Sequence, residues 1–317
     1  MISENVHRPT VGLALSGSGS RLVFYIGFLE ELAAQEVPID YIAAMSGASI
    51  VAAAFSCGRL REFKEEVFSL DKEKVMAMLP KGKGGLYSLD ELEEYGRQHV
   101  LDNMRFEDVR PLLGFVASDI ETGEQVVLSM GDLARGVRIS CTLPFFFEAV
   151  KWGGRTLVDG GLLNRIPVDV AKQAGMDIVV GVNMRGTPHL FTNGQLAIKR
   201  TYNFFKKALM VEYLERVWDF LNDDDGGENS FEQQPPMLSV LGRSMDLALK
   251  AGDKESEQPD CDLMITPDIK KFRIKNIEST RQELYELGKK TARQNGPKIK
   301  ELVKQKQAAQ VSAASRA

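Results

Sequence analysis

Histidine is scarce in this chain. Three residues, His7, His99 and His189, are all there are in 317, too scattered for a local metal-binding spacing. Acid–base chemistry must therefore look to carboxylates as well as to imidazole. Cysteine is as rare. Cys57, Cys141 and Cys261 are odd in number and widely separated, which excludes a disulfide framework and a zinc-type spacing and points to a reducing compartment. No run approaches the ~20 apolar residues of a membrane span. Residues 1–9 are polar with no apolar h-region, so no signal peptide is expected. Charge of one sign is also lacking: 40 Lys+Arg against 44 Asp+Glu leaves a net −4, no general support for nucleic-acid binding. A glycine pair at Gly17 and Gly19 lacks a third glycine at Leu22 and has no Gly-Lys-Ser/Thr near it, which argues against dinucleotide or nucleoside-triphosphate sites. What remains, 44% hydrophobic and 26% charged, is a globular composition long enough to bury a substantial core.

Strand and helix signals alternate. Residues 10–16 form a buried apolar run that enters the small-residue loop Gly17-Ser18-Gly19-Ser20-Arg21. Residues 22–34 follow with helical spacing of Phe24, Phe28, Leu29 and Leu32. Residues 40–45 read as a second strand, and 47–57, small and apolar throughout, as a helix buried on all sides. Surface helices continue to residue 79, and Ser88 opens a capped helix with Glu91 in the capping-box position. Residues 112–118 and 125–128 read as paired strands, 132–141 as a helix, 144–147 as a buried aromatic loop or strand, 155–158 as a strand, 168–174 as a helix and 177–182 as a strand. Such alternation predicts an α/β fold with a mostly parallel sheet covered on both faces. Further on, 237–249 reads as helix, 262–266 as a last strand, 277–294 as a closing helix and 298–317 as a frayed polar tail.

Two short stretches carry chemistry. Ala44-Met45-Ser46-Gly47-Ala48 lies between a strand and an apolar helix, and a serine on such a turn is pushed out of the sheet toward a carbonyl. Val158-Asp159-Gly160-Gly161 ends another strand, where two glycines let backbone and substrate come close to a carboxylate. Gly17, Ser18 and Gly19 follow the first strand, so their N–H groups can face an oxyanion if the first two strands are neighbours, with Arg21 adding positive field. One such donor is worth roughly 2.7–4 kcal/mol in known hydrolases. A histidine alternative stands beside this: the chain order Ser46, Asp159, His189 is that of the α/β-hydrolases. His7 falls in the loose N-terminus and His99 on a polar helix.

Taken in order, these stretches resemble the patatin-like phospholipase family. Residues 12–21 resemble its strand and oxyanion loop, and Ala44-Met45-Ser46-Gly47-Ala48 its nucleophile elbow. Gly85-Leu86-Tyr87-Ser88, Ala117-Ser118-Asp119 with Thr122-Gly123-Glu124, Ser140-Cys141-Thr142-Leu143-Pro144 and residues 158–168 resemble its later blocks. The match covers most of the first 185 residues and thins beyond, although 237–267 still looks like bacterial members. The resemblance implies a three-layer α/β/α patatin-like fold and a lipid acyl hydrolase acting on phospholipid or other carboxylic esters. Ser46 would be the nucleophile and Asp159 the base of a dyad that needs no histidine, metal, calcium or other cofactor. The amides of Gly17, Ser18 and Gly19 would form the oxyanion hole, aided by Arg21.

A carboxylate with an ordinary pKa near 3.9 takes a serine proton poorly. The site should therefore be desolvated by apolar side chains, for which Met45, Phe145 and Phe146 are the candidates. The sequence departs from the family where Ser18 and Leu22 replace loop glycines and where Ala44 and Ala48 replace those of the elbow. Each alanine adds a methyl to a strained turn. A second reading is a catalytically silent patatin-fold protein that binds lipid or a partner.

The domain expectation is an extension at 1–9, a single catalytic domain at 10–295 and a polar tail at 296–317. A helical insertion and a mobile acidic loop fall at about 190–236. Residues 195–221 carry Phe204, Phe205, Met210 and Trp218 at helical spacing, with Lys199, Arg200, Lys206 and Lys207 nearby. They read either as a lipid-facing helix or as a core-packed one. Asp223, Asp224 and Asp225 would repel an anionic bilayer. The resulting expectation is a cytoplasmic protein in peripheral contact with membrane, acting on an acyl ester and not on nucleic acid.

Overall fold

The computed structural model describes residues 7–70, 72–82, 84–144, 146–184, 240, 243–244, 259–269, 271–272 and 279–315. The expected insertion and acidic loop at 190–236, the helical run 195–221, Phe145 and His189 lie outside them.

Eight strands form one mixed sheet among the described residues: β1 (Val11–Leu15), β2 (Tyr41–Ala44), β3 (Leu112–Asp119), β4 (Gln125–Leu128), β5 (Val150–Trp152), β6 (Arg155–Asp159), β7 (Ile178–Val182) and β8 (Leu263–Ile265). The order is β5-β6-β3-β2-β1-β7-β8, with β4 paired to β3. The pairs β1–β2, β1–β7, β2–β3 and β7–β8 are parallel, and the antiparallel pairs gather at the β3–β6 end. Strand β5, preceding the Gly153-Gly154 turn, carried too little apolar signal to be expected: Lys151 and Trp152 are exposed.

The period of two decides which layer each strand residue joins. Val11, Leu13 and Leu15, Ile42 and Ala44, and Ile178, Val180 and Val182 face one core. There they meet α1 (Val23–Ala34), α2 (Gly47–Ser56) and α8 (Arg281–Ala314). Ala14, Tyr41, Ala43 and Val179 face the other, where Val168, Val170 and Ala171 of α7 (Val168–Gln173) cover them. The result is the expected three-layer α/β/α arrangement. Helix α1 is apolar almost all round because it is sandwiched: Phe24, Tyr25, Phe28, Leu29 and Leu32 are fully buried, each such aliphatic or Phe side chain contributing about 1.5–3 kcal/mol. Its outer side meets α8 through a reciprocal notch, with Gly27 against the Tyr285 carbonyl and Gly288 against the Phe24 carbonyl.

The remaining helices are α3 (Leu60–Ser69), α4 (Lys72–Ala77), α5 (Asp90–Tyr95) and α6 (Leu133–Ser140). Two expectations need correction. The closing helix does not end at 294 and the tail beyond it is not frayed. α8 runs 34 residues with Pro297 inside it, because Ala292, Ile299 and Val303 continue a buried stripe among lysines and glutamines that masked it. At α5 the Ser88 hydroxyl accepts from the Asp90 N–H at 3.1 Å and donates to the Asp90 carboxylate at 2.7 Å, but the N-cap residue is Leu89, with no side-chain cap hydrogen bond, so the expected capping box of Ser88 with Glu91 does not form.

Candidate active site

Ser46 follows the carboxyl end of β2 with φ 51° and ψ −139°, then α2 begins at Gly47. A positive φ is costly for a serine, on the order of 1–3 kcal/mol, and persists only where neighbours impose it. Here they do. The Ser46 N–H is shared between the carbonyl of Ser140 at 3.2 Å and its Oγ at 3.0 Å. The Ser140 hydroxyl in turn donates to the Val116 carbonyl at 2.9 Å. The Ser46 carbonyl accepts from the Ser49 N–H at 2.9 Å and the Ser49 hydroxyl at 2.7 Å. The alanines in place of the elbow glycines are taken up by the core: Ala44 and Ala48 are fully buried on the α1 side.

Asp159 ends β6 and is 4% exposed. Its N–H donates to the Thr142 carbonyl at 2.8 Å, and its Oδ1 accepts from the Gly161 N–H at 2.8 Å. Register relates it to Ser46. Ala44, the last paired residue of β2, lies opposite Phe115, and Asp159 opposite Ala117, so the β2 register carried two residues past its last pair brings Ser46 to the level of Asp159 across the single strand β3. Two strand spacings put their backbones about 10 Å apart, a gap that two inclined side chains can span.

The turn at 140–142 bridges that gap from above, holding the Ser46 amide at residue 140 and the Asp159 amide at residue 142. Helix α6 delivers it. Asp132 caps the helix by accepting from the Arg135 N–H at 2.9 Å, and Arg138 pairs with Glu93 at 3.0 Å with both side chains almost fully buried. Cys141 sits in this turn, its Sγ 3.7 Å from the Ser49 hydroxyl. Burial pushes its thiol up to about 12, helped by the charge of Asp159 and opposed by Ser49, so it stays protonated. Ser140, Thr142 and Ser49 were not singled out by sequence reasoning. The Ser140–Pro144 block was a signal of importance without a signal of role.

The glycine loop lies where β1, the parallel neighbour of β2, ends. A Cβ on Gly17 would be 3.4 Å from the Ser46 Cβ, and one on Gly47 would be 2.7 Å from the Gly19 carbonyl oxygen. Among the described residues no backbone or side-chain acceptor takes the N–H of Gly17, Ser18 or Gly19. These donors lie beside the positive end of α2. Arg21 stands half-buried two residues on, with burial lowering its pKa from the usual arginine value and Tyr25 opposing that.

The three apolar candidates divide. Met45 is 2% exposed and fills the core on the α7 side. Its methyl reaches between Gly17 and Gly161, 3.3 Å and 2.6 Å from where their Cβ atoms would be. Phe146 is half-buried, its carbonyl taking the Tyr87 N–H at 2.8 Å, which ties the Gly85–Ser88 block to the aromatic loop. Phe145 is outside the described residues. His7 precedes the amino end of β1, away from the carboxyl ends where Ser46 lies. His99 is exposed and stacks on Tyr95 at 4.5 Å. Among the described residues no trio of His, Cys, Asp or Glu is placed to hold a metal, and no helix is long and apolar enough to cross a membrane.

A serine held at positive φ between a sheet strand and a buried helix, at the carboxyl edge of a mostly parallel sheet, is the backbone arrangement that α/β proteins with a nucleophile elbow share. Comparison with known sequences narrows the class. The model of the Patatin-like phospholipase family matches residues 13–172, half of the chain, and the chain belongs to that family. An uncharacterized NTE family protein of Mycobacterium bovis is 26% identical over 297 residues, covering 92% of this chain and 47% of that protein. One of Mycobacterium tuberculosis is 27% identical over 300 residues with the same coverage. Patatin-like phospholipase domain-containing protein 6 of Mus musculus is 26% identical over 187 residues, 55% of this chain and 13% of that protein. The chain spans about half the length of the mycobacterial relatives. Among solved structures, VipD from Legionella pneumophila aligns with a TM-score of 0.46 at 13% identity, over 92% of this chain and 67% of that one.

Proposed function

We propose that this chain is a lipid acyl ester hydrolase with a Ser46–Asp159 dyad, reaching its substrate by peripheral contact with a lipid surface. One observation carries the reading: Ser46 on its strained turn and Asp159 are level across β3, with both backbone amides held by the same turn at 140–142. Family membership supports lipid esters as the substrate class.

In the first half-reaction the Ser46 Oγ bonds to the ester carbonyl carbon while Asp159 takes the hydroxyl proton. The carbonyl electron pair moves onto oxygen, which the N–H groups of residues 17–19 and the α2 terminus stabilise. Collapse expels the alcohol, which leaves with the proton from Asp159, and an acyl ester remains on Ser46. In the second half-reaction Asp159 deprotonates water, which attacks the acyl carbon. Collapse releases the carboxylic acid and returns the proton to Ser46.

The test is covalent trapping by a fluorophosphonate with mapping of the labelled residue, alongside turnover of p-nitrophenyl esters and phospholipid vesicles. Ser46 is the expected site of labelling. Ser46→Ala and Asp159→Asn should each abolish turnover, and His189→Ala should leave it near normal. Turnover that survives Ser46→Ala, or that disappears with His189→Ala, overturns the dyad. A wild-type protein that neither labels nor turns over ester is the catalytically silent, lipid-binding alternative.

A further inference from the structure

Ser18 stands where the family loop has glycine, and its hydroxyl is out of keeping with its surroundings. The residue is 4% exposed, yet among the described residues no atom hydrogen-bonds to its Oγ. A buried hydroxyl left unpaired costs about 1–3 kcal/mol; the Ser56, Ser118 and Ser244 hydroxyls share that state among the described residues, and Ser18 differs from them in standing beside the residue that follows Ser46. The Oγ is 2.9 Å from where a Gly47 Cβ would be, so it lies over the first residue of α2, immediately after Ser46. The hydroxyl at 18 and the missing side chain at 47 complement each other: a methyl at 47 would occupy that space. The Gly19 nitrogen is 3.1 Å from the same point, at the start of the ten-residue helix α2, and among the described residues the N–H groups of Gly17, Ser18 and Gly19 have no acceptor. Arg21 follows, with no carboxylate partner among the described residues. The Gly19 carbonyl oxygen also lies at that point, but it does not accept from Ser18, and beside so many donors the hydroxyl finds its acceptor in an anion.

We propose that the Ser18 hydroxyl is a side-chain donor to the oxyanion formed on the substrate carbonyl, so that the anion hole of this chain combines backbone N–H groups with one O–H. This rests on Ser46 being the nucleophile. As the Ser46 Oγ–carbon bond forms, the carbonyl π pair moves onto oxygen and Ser18 donates a hydrogen bond to it while keeping its own proton. When the tetrahedral intermediate collapses the pair returns to the carbonyl bond and the hydrogen bond weakens. A donor unpaired in the resting site and paired only with the developing anion acts on kcat and leaves ground-state binding alone.

Ser18→Ala and Ser18→Gly separate this role from a packing role, since both remove an unpaired hydroxyl from a backbone at φ −120° that either residue adopts. The expected result is an unchanged or higher melting temperature together with a fall of about 10²-fold in kcat and in the fluorophosphonate labelling rate of Ser46, with KM for a p-nitrophenyl ester within about twofold. Wild-type kcat and labelling rate in Ser18→Ala overturn the proposal, as does a loss of rate that comes with a parallel loss of melting temperature. Failure of the underlying reading looks different: the wild-type protein itself would not label at Ser46.

Discussion

Helix α8 lies beyond the segment that identifies the family, and replacing Gly288 by alanine tests whether it belongs to the same core. Two effects oppose each other. Alanine is a better helix residue than glycine by about 1 kcal/mol, so the substitution stabilises any helix that has room for it. Here the new Cβ would be 2.1 Å from the Phe24 carbonyl oxygen and 2.9 Å from the Phe28 nitrogen. That is about 1.3 Å short of ordinary contact, and both obstacles are backbone of α1, which cannot rotate aside. Overfilling a packed contact costs about 1–3 kcal/mol, and a backbone obstacle belongs at the upper end. The loosened contact also exposes Leu284, Tyr285 and Ala292, which the two helices bury. The net expectation is a loss of about 2 kcal/mol, a fall of about 5 °C in melting temperature for a domain of this size. Gly96, a helical glycine with nothing within 4 Å of its absent Cβ, supplies the control: Gly96→Ala should hold or raise the melting temperature. Thermal unfolding followed by circular dichroism reads both. A Gly288→Ala protein that melts with or above the wild type would refute the close α1–α8 contact.

Gly47→Ala should lower both stability and rate, because its Cβ would meet the Gly19 carbonyl oxygen, a backbone atom, at 2.7 Å, an overlap that costs about 1–3 kcal/mol. The displaced loop should cost up to about 10²-fold in kcat/KM on a p-nitrophenyl ester, more than the fall in melting temperature accounts for. Ser140→Ala removes the hydroxyl that links the Ser46 amide to Val116, and should cost about 1–2 kcal/mol of stability and lower kcat with little change in KM. A variant with wild-type kcat would show that the bond does not position the nucleophile. Asp40 governs an acid-sensitive contact at the opposite end of the sheet. Burial opposes its charge, but Arg8 and the Val11 N–H outweigh burial and hold its carboxyl below the usual range. Its contribution is complete above the ordinary carboxylate pKa and is lost as the pH falls through the depressed one. Asp40→Asn should therefore flatten the acid limb of stability against pH, and an unaltered limb in a denaturant series would count against the assignment.

The alternation of apolar strands and helices was legible because each buried strand sits between two layers, and such strands read as continuous apolar runs. The elbow serine, the aspartate before two glycines and the small-residue loop were legible for a related reason: tight backbone turns restrict the residues allowed. What escaped were features whose signal is spread or weak, such as the short exposed β5 and the second half of α8, where three apolar residues anchor a helix otherwise written in lysine, glutamine and alanine.

By itself, then, the sequence determined the layered α/β fold and singled out Ser46 and Asp159 as candidates, because burial and turn geometry impose local, readable patterns. Only the tertiary structure carried the register of the two to one level across β3, tied both amides to the turn at 140–142 and left the Ser18 hydroxyl buried beside Gly47 with no partner among the described residues. Register, hydrogen-bond satisfaction and the room around a missing Cβ depend on residues tens to a hundred positions apart, and no local pattern carries them.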